Sequence, residues 1–257
     1  MIHNTVIIDP DARIGDNVSI GPYSVIGAGV SIGDNTCIKS HVVIQGPTRI
    51  GASNRIFPFC CIGEDPQDKK YDNDSHSSLE IGDNNVIREY CTINRGTDSG
   101  GGKTVVGDGN WIMAYVHIAH DCIVGNNTIF ANNTTLAGHV IVDDYAIFGG
   151  FTGVHQFCHV GSNCFTAISS VVVKDVPPYL MIAGNTAKPS GLNREGLKRH
   201  GFDPDAIEAL KQAYKTVYRQ GLTISKALEE LESLAKAHQE VRLFTDFIAN
   251  SRRGIVR

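Results

Sequence analysis

The chain has 257 residues, of which 42% are hydrophobic and 19% charged, so it can bury a core and is not a disordered, highly charged tail. Its formal net charge of −4 argues against nucleic acid as a partner. No apolar run approaches the length of about 18 residues that a membrane span needs, and the N-terminus lacks a signal-peptide pattern. We therefore expect a cytoplasmic protein without membrane insertion.

An apolar residue recurs every six positions through most of the chain. Isoleucine occupies ten successive positions at this spacing from Ile8 to Ile62; the series resumes over Ile81–Ile93 and Val106–Val172, where only Thr166 is polar. A period of six fits neither an α-helix nor a heptad, but it fits short strands that each turn one large side chain inward. These hexapeptides resemble the bacterial transferase hexapeptide family. The resemblance implies an all-β solenoid, a left-handed parallel β-helix, over residues 1–176.

The six-residue spacing slips twice, and each slip predicts a loop that leaves the solenoid. The first loop lies near residues 63–80 and is dense in polar groups; the second lies near residues 94–105 and is rich in glycine. In a repeat fold, insertions are where binding groups are usually mounted.

The repeat stops near Pro177-Pro178, and residues 177–257 predict a small C-terminal α-helical domain. Asp203 before Pro204 is a helix start signal, and apolar residues follow at helical spacing as far as Gly221. Residues 223–238 and 241–251 are predicted as two further amphipathic helices. Residues 1–176 carry a net charge of −8 and the tail carries +4, so the two parts have different surfaces.

The seven cysteines favour neither disulfides nor a metal. Their number is odd, and no CxxC or Cys/His ligand spacing is present. Four of them occupy the small position that lies four residues after an apolar lattice residue, where they are predicted to pack in the interior: Cys60, Cys122, Cys158 and Cys164.

Histidines cluster between residues 117 and 159. His120, His139 and His155 fall in every third hexapeptide of the series, so we expect them on one face of three consecutive coils, with His117 at the corner just before it. Such a column on a rigid scaffold suits a general base or an oxyanion site. A zinc site of the γ-class carbonic anhydrase type, through His117, His120 and His139, is the alternative. We expect no metal.

Several further motifs extend the resemblance to the UDP-N-acetylglucosamine O-acyltransferase family of lipid A biosynthesis. They are HIAHDC (117–122), LAGHVIVDD (136–144), VHQFC (154–158), KDVPPY (174–179) and GLNREGLKRHGF (191–202). The resemblance implies transfer of a β-hydroxyacyl chain from acyl carrier protein to the sugar 3-hydroxyl of UDP-N-acetylglucosamine, the first step of the pathway. It also implies a homotrimer with active sites between subunits, and no cofactor.

The same resemblance assigns roles to individual residues. His120 would be the general base, Asp121 would orient it, and the Gly138 N–H would stabilise the tetrahedral oxyanion. Where the family commonly has a second arginine this chain has His200, which puts a phosphate contact at that position in question. The remaining residues implied to bind substrate are Gln67, Asp68, Lys70, His117, His139, His155, Gln156, Asn193, Glu195 and Arg199.

Two features bear on the acyl donor. By resemblance, Ile168 occupies the position that ends the acyl groove, and a bulky residue there predicts a preference for about ten carbons over fourteen. A basic stripe at helical spacing is predicted to dock the acidic carrier protein, and it comprises Lys211, Lys215 and Arg219.

Two other functions remain open from the residues alone: a hexapeptide transferase that uses acetyl-coenzyme A, and a non-catalytic scaffold. The GLNREGLKRHGF segment argues against the first, and the aligned histidines with an acidic neighbour argue against the second. The sequence does not decide between a 3-hydroxyl and a 3-amino sugar as the acceptor.

Overall fold

The structure, a computed structural model, describes residues 1–71 and 77–257. Its first part is a β-helix of short strands, because each hexapeptide turns a corner soon after its inward residue. In chain order the strands are β1 (Ile7–Ile8), β2 (Arg13–Ile14), β3 (Ser19–Ile20), β4 (Val25–Ile26), β5 (Val30–Ile32), β6 (Cys37–Ile38), β7 (Val43–Ile44), β8 (Thr48–Ile50), β9 (Arg55–Ile56), β10 (Cys61–Glu64), β11 (Ser78–Ile81), β12 (Val86–Ile87), β13 (Thr92–Asn94), β14 (Lys103–Val106), β15 (Trp111–Ile112), β16 (His117–Ile118), β17 (Ile123–Val124), β18 (Ile129–Phe130), β19 (Thr135–Leu136), β20 (Ile141–Val142), β21 (Ile147–Phe148), β22 (Gly153–Val154), β23 (His159–Val160), β24 (Phe165–Thr166), β25 (Val171–Val172), β26 (Leu180–Ala183) and β27 (Lys188–Leu192).

Every third strand pairs in parallel, which gives three sheets. Over the described residues, one sheet has nine strands (β1 to β25), the second has eight (β2 to β23) and the third has ten (β3 to β27). The inward Ile8 pairs with Ile26, which is the third lattice residue after it. Three hexapeptides therefore complete one coil, and the fold class implied by the hexapeptide resemblance is confirmed.

The lattice residues form the interior of the β-helix. Ile44, Ile62 and Ile118 are completely buried. The polar lattice residue, Thr166, is buried as well, and its hydroxyl lies 2.9 Å from that of Thr152, so both are hydrogen-bonded. The four cysteines predicted to be interior are buried free thiols: Cys60, Cys122, Cys158 and Cys164.

The two insertions leave the β-helix at the same corner, between the nine-stranded and eight-stranded sheets; we call this corner the loop edge. Ile62 pairs with Ile93, and Ile93 pairs with Ile118, so the chain between each pair is longer than an ordinary coil. The ends of the predicted loop 63–80 belong to β10 and β11, and its residues 72–76 lie outside the described part. The predicted loop 94–105 contains a short 3-10 turn, Asp98–Gly100, and the start of β14.

Another corner, between the ten-stranded and nine-stranded sheets, carries a ladder of rings, and we call it the aromatic edge. The rings stack from coil to coil at centroid distances of 4.9 to 5.2 Å. All have left-handed φ values near +60° where the chain turns the corner. The ladder comprises Tyr23, His41, Phe59, Tyr90 and Tyr115.

Strand pairing continues past residue 176, where the sequence analysis ended the repeat. β26 pairs in parallel with β24 and antiparallel with β27. Backbone pairing continues here although the residues have left the six-residue spacing. The chain then forms α1 (Arg194–Arg199), α2 (Pro204–Arg219), α3 (Ile224–Ala237) and α4 (Gln239–Asn250).

The helical tail begins where the cap signals predict. The Asp203 carboxylate accepts a hydrogen bond from the Asp205 N–H at 2.8 Å, and Pro204 follows the cap. Leu210 and Val217 of α2 are buried among the helices. Among the described residues, we find no helix with the length and apolar character needed to cross a membrane.

Candidate active site

A polar cavity of about 530 Å³ lies at the loop edge. It brings together many of the residues that the sequence singles out, from the first loop and from three consecutive coils. Ser99 and Phe157 also line it, and neither was predicted. The predicted residues in its wall are Gln67, Asp68, Lys70, His120, His139 and Gln156.

His120, in the cavity wall, forms a hydrogen-bonded pair with Asp121. His120 Nδ1 lies 2.8 Å from Asp121 Oδ2, and the Asp121 side chain is fully buried. A carboxylate can only accept, so His120 Nδ1 carries the proton and Nε2 keeps its lone pair. The geometry therefore leaves one ring nitrogen able to take a proton from a bound group.

The second loop fixes the Asp121 carboxylate. The Thr97 N–H donates to Oδ1 at 2.8 Å, and the Thr97 hydroxyl donates to Oδ2 at 2.7 Å. The Asp121 N–H in turn donates to Thr104 Oγ1 at 2.8 Å. A side chain at Gly100 would place its Cβ 2.1 Å from the carboxylate, so glycine is required for this close packing. The insertion thus supplies donors that hold a buried negative charge beside His120.

Gly138 lies directly against the His120 ring. A Cβ at this position would come within 2.6 Å of His120 Cε1 and 2.7 Å of Nε2. Among the described residues, the Gly138 N–H donates to no acceptor. A free backbone donor beside the unprotonated nitrogen of His120 is what an oxyanion site requires.

His139 completes the group. Its ring meets the His120 ring edge-on at 5.1 Å and stacks on Phe157 at 4.4 Å, and its Nε2 lies 3.7 Å from Asp121 Oδ2. Burial is the main cause that lowers the pKa of His139, and it outweighs the opposing effect of Asp121. His139 is therefore neutral near pH 7.

His117 lies on β16, the strand that leads into the corner occupied by His120. Its Nδ1 is 2.7 Å from Thr92 Oγ1. Burial lowers the pKa of His117 first, and the nearby His120 lowers it further. His117 therefore sits beside the pair without entering the cavity wall described above.

The expected column of His120, His139 and His155 is wrong in its register. At a corner, residues that are one full coil apart stack on one another and form a ladder. His120 therefore shares its ladder with Gly138 and Gln156, whereas His139 stands between Asp121 and Phe157 in a second ladder. His155 occupies a third ladder, where its ring is exposed and its Nδ1 lies 3.1 Å from the Gln156 carbonyl oxygen. The hexapeptides are aligned as expected, but the three side chains leave them at different points of the corner.

Arg95 holds the first loop in place, and sequence reasoning missed it. Its buried guanidinium pairs with the Asp65 carboxylate, donates to the Gly63 carbonyl, and lies 3.2 Å from the Tyr71 hydroxyl. The Asn94 amide also donates to the Asp65 carbonyl at 2.7 Å. Residues that begin one insertion therefore anchor the other, and the segment that carries Gln67, Asp68 and Lys70 is fixed at both ends. The signal available in the sequence was that Asn94 and Arg95 stand where the six-residue spacing slips for the second time.

Asn193, Glu195 and Arg199 lie elsewhere, around a cavity of about 300 Å³ on the outer face of the ten-stranded sheet. Asn193 is engaged structurally: its Oδ1 caps α1 through the Gly196 N–H at 3.1 Å, and its amide donates to the Asn163 carbonyl. His200 hydrogen-bonds Asn163 Oδ1 at 2.6 Å, so it is fixed to the β-helix. Within one chain, these residues do not join the His120 cavity.

Ile168 also lies away from Gly138. It follows β24 at the aromatic edge, where it is 69% exposed, whereas Gly138 follows β19 at the loop edge. Within one chain, Ile168 and Gly138 therefore do not line a single groove. The two positions are not a whole number of coils apart, and the remainder moves Ile168 to another corner.

The basic stripe on α2 is present but partly engaged. Lys215 and Arg219 are exposed, and Lys211 pairs with Glu208 on the same helix at 2.9 Å. Arg219 lies over the Tyr214 ring at 6.0 Å. The stripe therefore offers a positive surface on the face of α2 away from its buried residues.

Comparison with known proteins finds relatives over the whole length of the chain. The family model described as Udp N-acetylglucosamine O-acyltransferase, Domain 2, matches residues 175–256, and the bacterial transferase hexapeptide model matches residues 1–30, 11–46 and 103–138. The acyl-[acyl-carrier-protein]–UDP-N-acetylglucosamine O-acyltransferase of Thiobacillus denitrificans is 57% identical, covering 100% of this chain and 99% of its own. That of Stutzerimonas stutzeri is 51% identical with the same coverage.

Solved structures give the same result. The UDP-N-acetylglucosamine acyltransferase of Francisella novicida superimposes with a TM-score of 0.98 at 47% identity, covering 100% of this chain and 94% of that one. The Arabidopsis enzyme gives 0.89 at 38% identity with full coverage of both. The chain belongs to the UDP-N-acetylglucosamine O-acyltransferase family.

Proposed function

We propose that this acyltransferase moves a β-hydroxyacyl group from acyl carrier protein to the 3-hydroxyl of UDP-N-acetylglucosamine, the first step of lipid A biosynthesis. The observation that carries the proposal is the His120–Asp121 pair beside the Gly138 N–H, which donates to no acceptor among residues 1–71 and 77–257. A base and an oxyanion donor at one place are what acyl transfer to a hydroxyl needs.

In the proposed reaction, His120 Nε2 takes the proton of the sugar hydroxyl as its oxygen attacks the thioester carbonyl. The Gly138 N–H stabilises the tetrahedral oxyanion. Collapse breaks the carbon–sulfur bond, and the departing thiolate takes the proton from the imidazolium. Asp121 holds the ring and stabilises its positive charge during this sequence, supported by Thr97.

The first loop is proposed to bind the sugar. Gln67, Asp68 and Lys70 line the cavity opposite His120 and His139, and their side chains can bond the hydroxyl, amide and phosphate groups of a sugar nucleotide. Gln156 lies in the same wall. His117 and His155 lie at its margins, where they are proposed to contact the substrate rather than to accept the proton.

The complete site is proposed to need a second copy of the chain, in a homotrimer. Asn193, Glu195 and Arg199 lie on a different face from His120, and Ile168 is exposed at the aromatic edge beside the exposed Phe151. Seating that side of one copy against the loop edge of the next would cover these apolar side chains. It would also bring Arg199, whose guanidinium suits a phosphate, toward the sugar site.

A subunit-mixing experiment tests the shared site. Proteins with His120→Ala and with Arg199→Ala are each expected to be weakly active, and trimers assembled from both are expected to regain activity, since some sites then contain neither substitution. No recovery in trimers shown by mass spectrometry to be mixed would place both residues in a site within one chain.

The product test uses mass spectrometry. The protein is incubated with UDP-N-acetylglucosamine and a mixture of β-hydroxyacyl carrier proteins of different chain length, and the acylated sugar nucleotide is fragmented. We expect a single ester at the 3-hydroxyl, with a chain of about ten carbons if Ile168 of a neighbouring copy ends the groove. An acceptor that reacts only as the 3-amino analogue, or transfer only from acetyl-coenzyme A, would contradict the proposal.

The stripe Lys211, Lys215 and Arg219 is proposed to dock the acidic carrier protein. Exposed cations of this kind act through long-range attraction, which salt screens over about 10 Å at 0.1 M. The KM for the carrier substrate should therefore rise with salt more steeply than the KM for the sugar nucleotide.

A further inference from the structure

Three donor atoms of the catalytic cavity lie in the arrangement of a metal site. Asp121 Oδ2 lies 2.8 Å from His120 Nδ1 and 3.7 Å from His139 Nε2, and the three atoms all lie within 4.8 Å of one another. We propose that this trio binds a divalent transition-metal ion of the zinc class, and that the ion inhibits acyl transfer. The inhibition, though not the binding, rests on the proposed function.

The distances fit tetrahedral coordination. Zinc takes imidazole nitrogen at about 2.0–2.1 Å and carboxylate oxygen at about 2.0–2.2 Å. Donor atoms on a tetrahedron of that size are about 3.3–3.5 Å apart, which lies between the two observed separations. Movements of about half an ångström would therefore bring each histidine nitrogen to that separation from Asp121 Oδ2, and the two histidine nitrogens already lie within 4.8 Å of each other. Two imidazoles and a carboxylate, with the fourth position open, form one of the ligand sets that zinc uses in proteins.

The surroundings hold the three ligands before an ion arrives. Thr97 keeps both carboxylate oxygens of Asp121 bonded, and its hydroxyl bond to Oδ2 can persist beside a metal, because the oxygen has a second lone pair. The His139 ring is stacked on Phe157. His120 and His139 both line the cavity, so water or a substrate oxygen from it could supply the fourth ligand.

Inhibition follows from the position of one proton. In the free enzyme, His120 Nδ1 carries the ring proton and Nε2 has the lone pair. A metal bound at Nδ1 takes the place of that proton, so the single proton of the neutral imidazole must sit on Nε2. That nitrogen then donates instead of accepting, and it cannot take the proton of the sugar hydroxyl. The metal therefore removes the base without blocking the cavity.

The binding test uses metal-free protein titrated with ZnCl₂ by calorimetry. The informative variant is His139→Phe, because Phe157 already stands in the next rung of this ladder, so the phenyl ring should stack. We expect one zinc per chain in the wild type and an affinity at least about 10-fold lower in the variant. His155→Ala is the matched control: it removes an exposed histidine of the same corner outside the trio, and should leave zinc affinity unchanged.

Cobalt adds a readout that does not depend on activity. Co²⁺ in a tetrahedral site gives intense visible absorption, which His139→Phe should abolish. Equal zinc affinity in wild type and His139→Phe would overturn the site and point to other ligands, such as the half-buried Cys37 or Cys61. Absence of zinc binding below about 100 µM, a weak affinity for a three-ligand site, would overturn it as well.

The kinetic arm separates this proposal from the proposed function. The transfer rate of the wild type should fall with zinc at the midpoint found by calorimetry, and chelation should restore it. Zinc binding at the trio with an undiminished rate would overturn the inhibition. Metal-free protein that binds zinc as described, yet acylates no sugar nucleotide, would instead refute the proposed reaction and leave the metal site standing.

Discussion

Gly138→Ala tests the contact between the glycine and the ring of His120, the proposed base. The new Cβ would lie 2.6 Å from His120 Cε1 and 2.7 Å from Nε2, whereas ordinary contacts begin at 3.4 Å. The ring must therefore move by about 0.8 Å, and its 2.8 Å hydrogen bond to Asp121 limits where it can go. Neither backbone strain nor a lost N–H complicates the result, since Gly138 has no left-handed φ and alanine keeps the donor.

The expected effect is on kcat. Misplacing a catalytic group by about 1 Å costs on the order of 10²-fold in rate, which corresponds to about 2.7 kcal/mol of transition-state stabilisation. The crowding itself should cost about 1–3 kcal/mol of folding stability, so the melting temperature should fall by several degrees while the fold persists. The KM for the sugar nucleotide should change little, because the residues of the first loop are untouched.

The assay is steady-state transfer from β-hydroxyacyl carrier protein, with Gly153→Ala as the matched control. Gly153 lies one coil later, on the strand that pairs with β19, and a Cβ there meets nothing within 4 Å. Its alanine variant should keep wild-type kcat. If Gly138→Ala kept more than about half of the wild-type kcat, or if Gly153→Ala lost as much, the ring would not occupy the position described.

Other substitutions probe the remaining parts of the site. His120→Ala should lower kcat by about 10² or more, with the melting temperature nearly unchanged, and retention of most activity would exclude His120 as the base. Arg95→Met should free the first loop and raise the KM for the sugar nucleotide by about 10-fold, which corresponds to about 1.36 kcal/mol, with kcat reduced less. The control is Arg88→Met, which breaks a partly exposed ion pair with Glu89 away from that loop. Equal effects of the two substitutions would contradict the role of Arg95 in holding the first loop. Ile168→Gly should shift the preferred acyl chain from about ten carbons to longer ones, and an unchanged profile would mean that the groove ends elsewhere. Charge reversal of the whole basic stripe should raise the KM for the carrier protein but not for the sugar nucleotide; the variant combines Lys211→Glu, Lys215→Glu and Arg219→Glu. An unchanged KM for the carrier protein would show that the stripe is not part of the docking surface.

The sequence alone determined the β-helix, because its stabilising contacts repeat. Each coil stacks like residues on like residues, so the inward isoleucines and the buried cysteines recur at a visible spacing. The six-residue spacing also predicted both insertions, because residues that are not part of a coil shift the positions of the inward residues that follow them. The helix cap at Asp203 was visible for a local reason: it depends on two neighbouring residues.

The family resemblance supplied the residues of the site, but only the tertiary structure decided which of them meet. His155 shares the hexapeptide phase of His120 closely enough to suggest one column, yet a shift of one or two positions at a corner directs a side chain into a different ladder. Arg199 lies beyond the six-residue repeat, so the spacing does not predict which face it occupies relative to Gly138.

The contacts that fix the catalytic pair were invisible in the sequence because no repeat produces them. Arg95 reaches back to Asp65, and Thr97 reaches forward to Asp121, from insertions whose paths the six-residue period does not constrain. Arg95 and Thr97 reach these partners because the two loops leave the β-helix at the same corner and pack on each other. The repeat set the scaffold through stacking, and the tertiary packing of its interruptions placed the buried carboxylate that holds His120, the proposed base.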